Sequence, residues 1–257
     1  MKQKKIIAGG IGLLLVIIGI VEALLTRDAA LAQGAAVAST VAFALSLILI
    51  VAGLLVAIIG LLPKAKPVNI RTLSLAALFA ALCYIGFTYC KIDVPVGDKS
   101  TAFHLGNVFC VMAALFLGGF WGGMAGAVGM TLADLTTAYV TSAPKTFLLK
   151  LCIGLIVGLV AHKVFHLSQE KERKIRLPIA TAISCSAGML FNVVADPVVG
   201  YFYKTYVLGI PQDAASALAK IGALTTSVNA IIAVVASTVL YLALRRALNR
   251  TNLLPKL

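Results

Sequence analysis

Charge is what this sequence has least of where it would be needed in water. From Ser100 to Ala133, 34 consecutive positions hold none, and charged residues are only 12% of the 257-residue chain. As one helix that stretch would run about 51 Å at 1.5 Å per residue, well past a hydrocarbon core of roughly 30 Å. Catalytic and energising motifs are missing too. No G-x-x-x-x-G-K-[ST] phosphate loop occurs, so the chain cannot drive ATP-powered transport by itself. Neither H-E-x-x-H nor G-x-S-x-G is present, and His104 with a nearby threonine is a poor nucleophile and base pair. An enzyme is not expected. The five cysteines, Cys83, Cys90, Cys110, Cys152 and Cys185, lie in apolar segments without metal spacing. They read as small packing residues, with no metal or cofactor implied. No internal repeat is visible, which argues against inverted-repeat secondary transport.

What fills the chain is apolar. Hydrophobic residues make up 61% of it, and mean hydropathy is +1.02, beyond what a soluble core requires. Segments 6–25, 36–62, 72–90, 104–118, 121–140, 146–163, 177–200 and 221–244 each reach or approach the length of a membrane span. The run Gly118-Gly119-Phe120-Trp121-Gly122-Gly123 supplies the fold-back point inside the charge-free stretch. The expected fold is an all-α integral membrane protein of eight helices, with both termini on the cytoplasmic side. Under that topology, fifteen basic and two acidic residues lie inside, which accounts for the whole net charge of +13. The anionic cytoplasmic leaflet is a sufficient partner for this basic face, and nucleic acid is not expected. Segment 2–25 imitates a signal peptide but has too long an apolar run and no small-residue cleavage site, so it reads as a retained helix.

Residues 1–66 read as an accessory transmembrane hairpin ended by Pro63 and Pro67, and 67–257 as a six-helix working domain. Outside the membrane, Lys91 to Phe103 contains Pro95, Gly97 and Asp98 and is long enough to close over a pocket as a lid. The connection at Tyr139 to Pro144 is short, and Tyr201 to Ala219 forms the third outer loop.

Within the six helices, polar residues gather at one depth. Asp134, with Thr131 and Thr137 on about the same face, ends one helix; Lys145 and Lys150 begin the next. Asn192 and Asp196 form an i, i+4 pair, Thr225, Thr226 and Asn229 open the last span, and His104 and Asn107 open another. Polar groups so placed are costly and functional by default, and their common depth predicts a pocket open to the exterior. A buried charge needs a partner. Lys145 is available to Asp134, and Lys150 to Asp134 or Asp196. Asn192 and Asn229 serve equally as interhelical glue or as ligand contacts. Small residues mark two further faces: Ala76 with Ala80 and Ala77 with Ala81, and Gly119 with Gly123 and Gly122 with Gly126. Such faces pack within the chain or dock another membrane subunit.

The run Phe103-His104-Leu105-Gly106-Asn107, then Ala114-Leu115-Phe116-Leu117-Gly118, Ala125-Gly126, Leu132-Ala133-Asp134-Leu135 and Ala143-Pro144-Lys145-Thr146-Phe147 resembles the S component of energy-coupling factor (ECF) vitamin transporters. The riboflavin-transporter-like S-component family is the most similar, over about residues 70–245. The resemblance implies a six-helix subunit of the bacterial plasma membrane that captures a vitamin from outside. It also implies a transmembrane T component and two ATPase subunits as partners, with Ala76, Ala77, Ala80 and Ala81 docking the T component. Asn107 stands where the family more usually has a carboxylate. Substrate contacts are expected from Asp134, Lys145, Asn192, Asp196 and Asn229, with His104 and Asn107 at the rim and Tyr139 and Tyr201 as stacking faces. A riboflavin-, pyridoxine- or pyrimidine-like ligand suits this set. The alternative is an ion-coupled secondary transporter in which Asp134 and Asp196 exchange protons.

Overall fold

The computed structural model describes residues 69–97, 99–168 and 176–250. The expected hairpin 1–66 lies outside the described residues, and with it the eight-helix count. Within them are six α-helices: α1 Ile70–Thr88, α2 Gly106–Leu117, α3 Gly119–Leu135, α4 Ala143–Leu159, α5 Arg176–Phe202 and α6 Gln212–Arg250. Four helical stretches are long and apolar enough to cross a membrane: Ile70–Thr88, Val140–Val164, Leu177–Val207 and Gln212–Leu248.

The outward faces support a bilayer setting. On α5, Leu190, Val194 and Val198 follow at four-residue steps, as do Ile231, Val235 and Val239 on α6, and all six are exposed. Two such stripes would be a severe liability in water and are the ordinary lipid-facing surface of a spanning helix.

At the centre stands α2. Its sequence is apolar on every side, which suits a helix surrounded by others, and every residue but Phe109 is buried. At 12 residues it is about 18 Å long, too short to cross alone. Gly118 ends it with φ +80° and starts α3 at once. A positive φ is cheap only for glycine, so the fold-back read from the paired glycines comes down to this one residue.

The glycine faces are spent inside the chain. A Cβ on Gly122 would collide with the backbone of Ala114, one on Gly154 with Gly123, and one on Gly158 with Gly119. These contacts let α3 lie against α2 and α4 at backbone distance. The alanines of α1 divide. Ala76 is buried in the core, and the Ala80 carbonyl lies against Gly129, whereas Ala77 and Ala81 are exposed. The face carrying Ala76 and Ala80 is turned toward the core and α3. Ala76 and Ala80 are therefore corrected from docking residues to internal packing residues.

Two connections differ from the sequence reading. The expected lid loop is an antiparallel hairpin, β1 Lys91–Val96 with β2 Lys99–His104, in a register that pairs Lys91 with His104 and Val96 with Lys99. Gly97, at φ +59°, opens its two-residue turn. His104 thus ends a strand, and α2 begins two residues later. The connection expected as the third outer loop is mostly helical: a π-turn at Tyr203–Val207 continues α5, and α6 starts at Gln212. Apolar content alone missed this, because the alanine-rich start of α6 has high helix propensity without being hydrophobic throughout. Cys90, expected inside a span, is exposed between α1 and β1, while the other four cysteines are buried.

Candidate functional site: a polar cavity beneath the hairpin

Six helices and the hairpin enclose a cavity of about 120 Å³. From α2, α3 and α5 come Asn107, Asp134 and Asn192, each no more than 2% exposed. The α4 helix contributes Thr146, Lys145 and, deeper, Lys150. Asp196 lies one turn outward from Asn192, and α6 contributes Thr225, Thr226 and Asn229. Phe87 of α1, His104 of β2 and Tyr139 complete the aromatic part of the wall.

The charges pair differently from the simplest expectation. Lys145 donates to Asp196 Oδ1 at 2.6 Å, and Thr226 donates to Asp196 Oδ2 at 2.9 Å. Asp134 is thereby left to Thr146 and to the more distant fields of the lysines. Four buried polar atoms on this wall have no partner: His104 Nδ1, Asn107 Oδ1, Asp134 Oδ2 and Asn192 Oδ1. An unpaired buried polar atom costs about 1–3 kcal/mol. Four of them around one cavity are an unusual concentration for a purely structural core.

The hairpin is held over this cavity from both sides. Asn229 is the main tie. Its Oδ1 accepts from the His104 backbone N–H at 3.0 Å, and its Nδ2 donates to the Ala102 carbonyl at 2.9 Å. The hydroxyls of Thr101 and Thr225 meet at 2.9 Å beside it. On the opposite side, Tyr139 donates to Asp93 at 2.7 Å and accepts from Ser100 at 3.2 Å. The Lys91 amino group pairs with Asp93 at 3.0 Å and stands over the Tyr139 ring.

Partial burial opposes ionisation of Asp93, but the Tyr139 hydroxyl and Lys91 outweigh it and hold its pKa below the ordinary carboxylate value. Burial and the Asp93 hydrogen bond push the Tyr139 phenol upward, so it remains a donor. A carboxylate with a depressed pKa contributes its tie fully above the ordinary value near 3.9 and loses it as pH falls through the lower, folded value. Closure on this side is therefore expected to be independent of pH between about 5 and 8 and to weaken below about 4. Stopped-flow ligand release should accelerate there in the parent chain, and Asp93→Asn should remove that part of the pH dependence.

Of the nine expected contact residues, eight line this cavity: His104, Asn107, Asp134, Tyr139, Lys145, Asn192, Asp196 and Asn229. Two positions need correction. Asn107 is not at a rim but buried in the wall. Tyr201 is not among the lining residues; Asn192, Asp196, Pro197 and Lys204 are those that line the cavity from this part of the chain, and the Tyr201 ring turns edge-on to Phe202 at 5.3 Å. Lys204 and the strand residues Ser100 and Thr101 also line the cavity and were not foreseen as contacts. Alternation of Ile92, Val94 and Val96 before Gly97 is the signal that would have revealed the hairpin. Among the described residues, no cluster of histidine, cysteine or acidic side chains has metal-binding geometry.

Comparison with curated proteins and with solved structures gives no match. The family described as ECF-type riboflavin transporter, S component, matches residues 67–246, a span that takes in α1 to α5, all but the last four residues of α6 and every residue of the cavity wall. It is a family of substrate-binding transporter components rather than enzymes. A multi-pass apolar bundle with a polar cavity agrees with that match, and the chain belongs to the ECF-type riboflavin transporter S-component family.

Proposed function

We propose that this subunit captures a vitamin or vitamin precursor from outside the bacterial plasma membrane and delivers it through a T component driven by two ATPase subunits. The observation that carries the reading is the convergence of His104 Nδ1, Asn107 Oδ1, Asp134 Oδ2 and Asn192 Oδ1, all buried and unpaired, on one cavity. Three of these are oxygen acceptors, which suits a ring compound presenting N–H or O–H donors. Phe87, His104 and Tyr139 offer apolar ring faces to the same molecule. Riboflavin, a pyridoxine-like compound and a pyrimidine fit this description. The exposed Ala77 and Ala81 stripe of α1 is the surface proposed for the T component, since small residues allow close helix approach in a bilayer.

Asp134→Ala removes one acceptor from the wall without breaking the Lys145 and Asp196 pair. Ligand affinity measured by isothermal titration on the purified chain is expected to fall about 10- to 100-fold, the size of one charge-assisted hydrogen bond, with a smaller drop in melting temperature than Asp196→Ala gives. Unchanged affinity would remove Asp134 from the site. Uptake into vesicles by this chain alone, driven by a proton or sodium gradient, would favour ion-coupled transport instead.

A further inference from the structure

Three amino groups and two carboxylates meet in this cavity, and the balance is positive. Lys145, Lys150 and Lys204 face Asp134 and Asp196. Asp196 is already committed to Lys145 and Thr226. Lys204 belongs to the π-turn at the outer end of α5, where a long cationic side chain would ordinarily reach outward to water. It does the opposite. Side chains on a helix lean toward its N-terminus, and the Lys204 amino group lies back over Gly200. A Cβ placed on Gly200 would stand 3.9 Å from it and 3.5 Å from the Lys145 amino group. Two ammonium groups thus flank one point above a residue that has no side chain to separate them. The N-terminus of α4 opens onto the same region through Ser142, Lys145 and Thr146. Its first turn contains no acidic residue, but the Ser142 and Ala143 N–H groups already donate to Tyr139 and Val140 and Pro144 has none, so the two ammonium groups and not helix donors define the site.

Resting on the capture reading above, we infer that the ligand carries an anionic group, a carboxylate or phosphate, bound between Lys145 and Lys204. Its donor-bearing ring lies deeper, against Asn107, Asp134 and Asn192. The anion offsets the surplus positive charge and gives Lys204 a reason to turn inward. Gly200 leaves the space that such a group needs.

The test uses matched pairs differing by one acidic group: riboflavin and riboflavin 5′-phosphate, pyridoxine and pyridoxine 5′-phosphate, uracil and its 6-carboxylate. Affinities are measured by isothermal titration on the full chain in nanodiscs, and the purified chain is examined by native mass spectrometry for a co-purified molecule. The expected result is that the acidic member of one pair binds at least about tenfold more tightly than its neutral partner. The phosphate and carboxylate pairs distinguish the two anions. Lys204→Gln should weaken the acidic member far more than the neutral one and so abolish that preference, while Lys204→Arg, which keeps the charge, should retain it. Equal or tighter binding of the neutral member, or an equal loss for both members in Lys204→Gln, overturns the anion assignment and leaves capture standing. No binding in any pair, with no co-purified molecule, overturns the capture reading and this inference with it.

Discussion

Asp196→Ala is expected to destabilise the bundle by about 3–5 kcal/mol, the cost of leaving one member of a buried ion pair without its partner. Lys145 lies 2.6 Å from Asp196 and the pair is largely shielded from solvent. Removing the carboxylate leaves three lysines in one cavity with only Asp134 for compensation. It also strands the Thr226 hydroxyl. Removing both charges should cost much less, because neither member of the pair is then left facing the cavity alone. The double variant Lys145→Met, Asp196→Leu is therefore expected to melt closer to the parent than Asp196→Ala does. Thermal unfolding of the purified proteins in one detergent provides the comparison. If the single variant were as stable as the double one, the pair would not be an energetic unit. Binding should be lost in both, since Lys145 and Asp196 both line the cavity.

Asn229→Ala acts on closure rather than on folding. Its amide spans the gap between α6 and β2 with two hydrogen bonds to backbone, one to the His104 N–H and one to the Ala102 carbonyl. Both backbone groups need partners when the hairpin is down, and each costs about 1–3 kcal/mol if left buried and unpaired. The helix is anchored independently by its apolar faces, so the hairpin has the most to lose. Ligand dissociation is expected to accelerate by about 10- to 100-fold, with a smaller change in association rate. Stopped-flow measurements separate the two rates. A fall in association rate alone would mean that Asn229 contacts arriving ligand and does not hold the hairpin. Asn229→Asp keeps the acceptor for His104 but loses the donor to Ala102, and an intermediate rate is expected.

The legible features of the sequence were those set by periodicity and composition. The six apolar segments of the working domain correspond to α1 through α6, because lack of charge over a span's length leaves few alternatives in a bilayer. Helix ends were less accurate. Asn69, which caps α1 by accepting from the Arg71 N–H, and the alanine-rich start of α6 extend helices beyond their hydrophobic runs. The depth of Asp134, Asn192, Asp196 and Asn229 was also readable, since rise per residue converts position into depth.

Which partner each polar group takes was not readable. Asp134 and Lys145 are close in sequence, yet Lys145 crosses to Asp196 on α5, a choice made by how α4 and α5 meet. Ala76 and Ala77 are adjacent and identical, but one is buried and the other exposed, since rotation about the axis of α1 depends on its neighbours. Lys204 had no role in the sequence reading, and only the π-turn and Gly200 set its amino group beside that of Lys145.

By itself, then, the sequence determined that this chain lives in a bilayer, how many helices its working domain has, and at what level its polar residues lie. These follow from solvation costs that each segment meets alone. Only the tertiary structure decided which atoms remain unpaired, where the hairpin is tied and how charge is balanced across the cavity. Those depend on helix rotation and approach, which glycine contacts between α2, α3 and α4 set at backbone distance and which no single segment encodes.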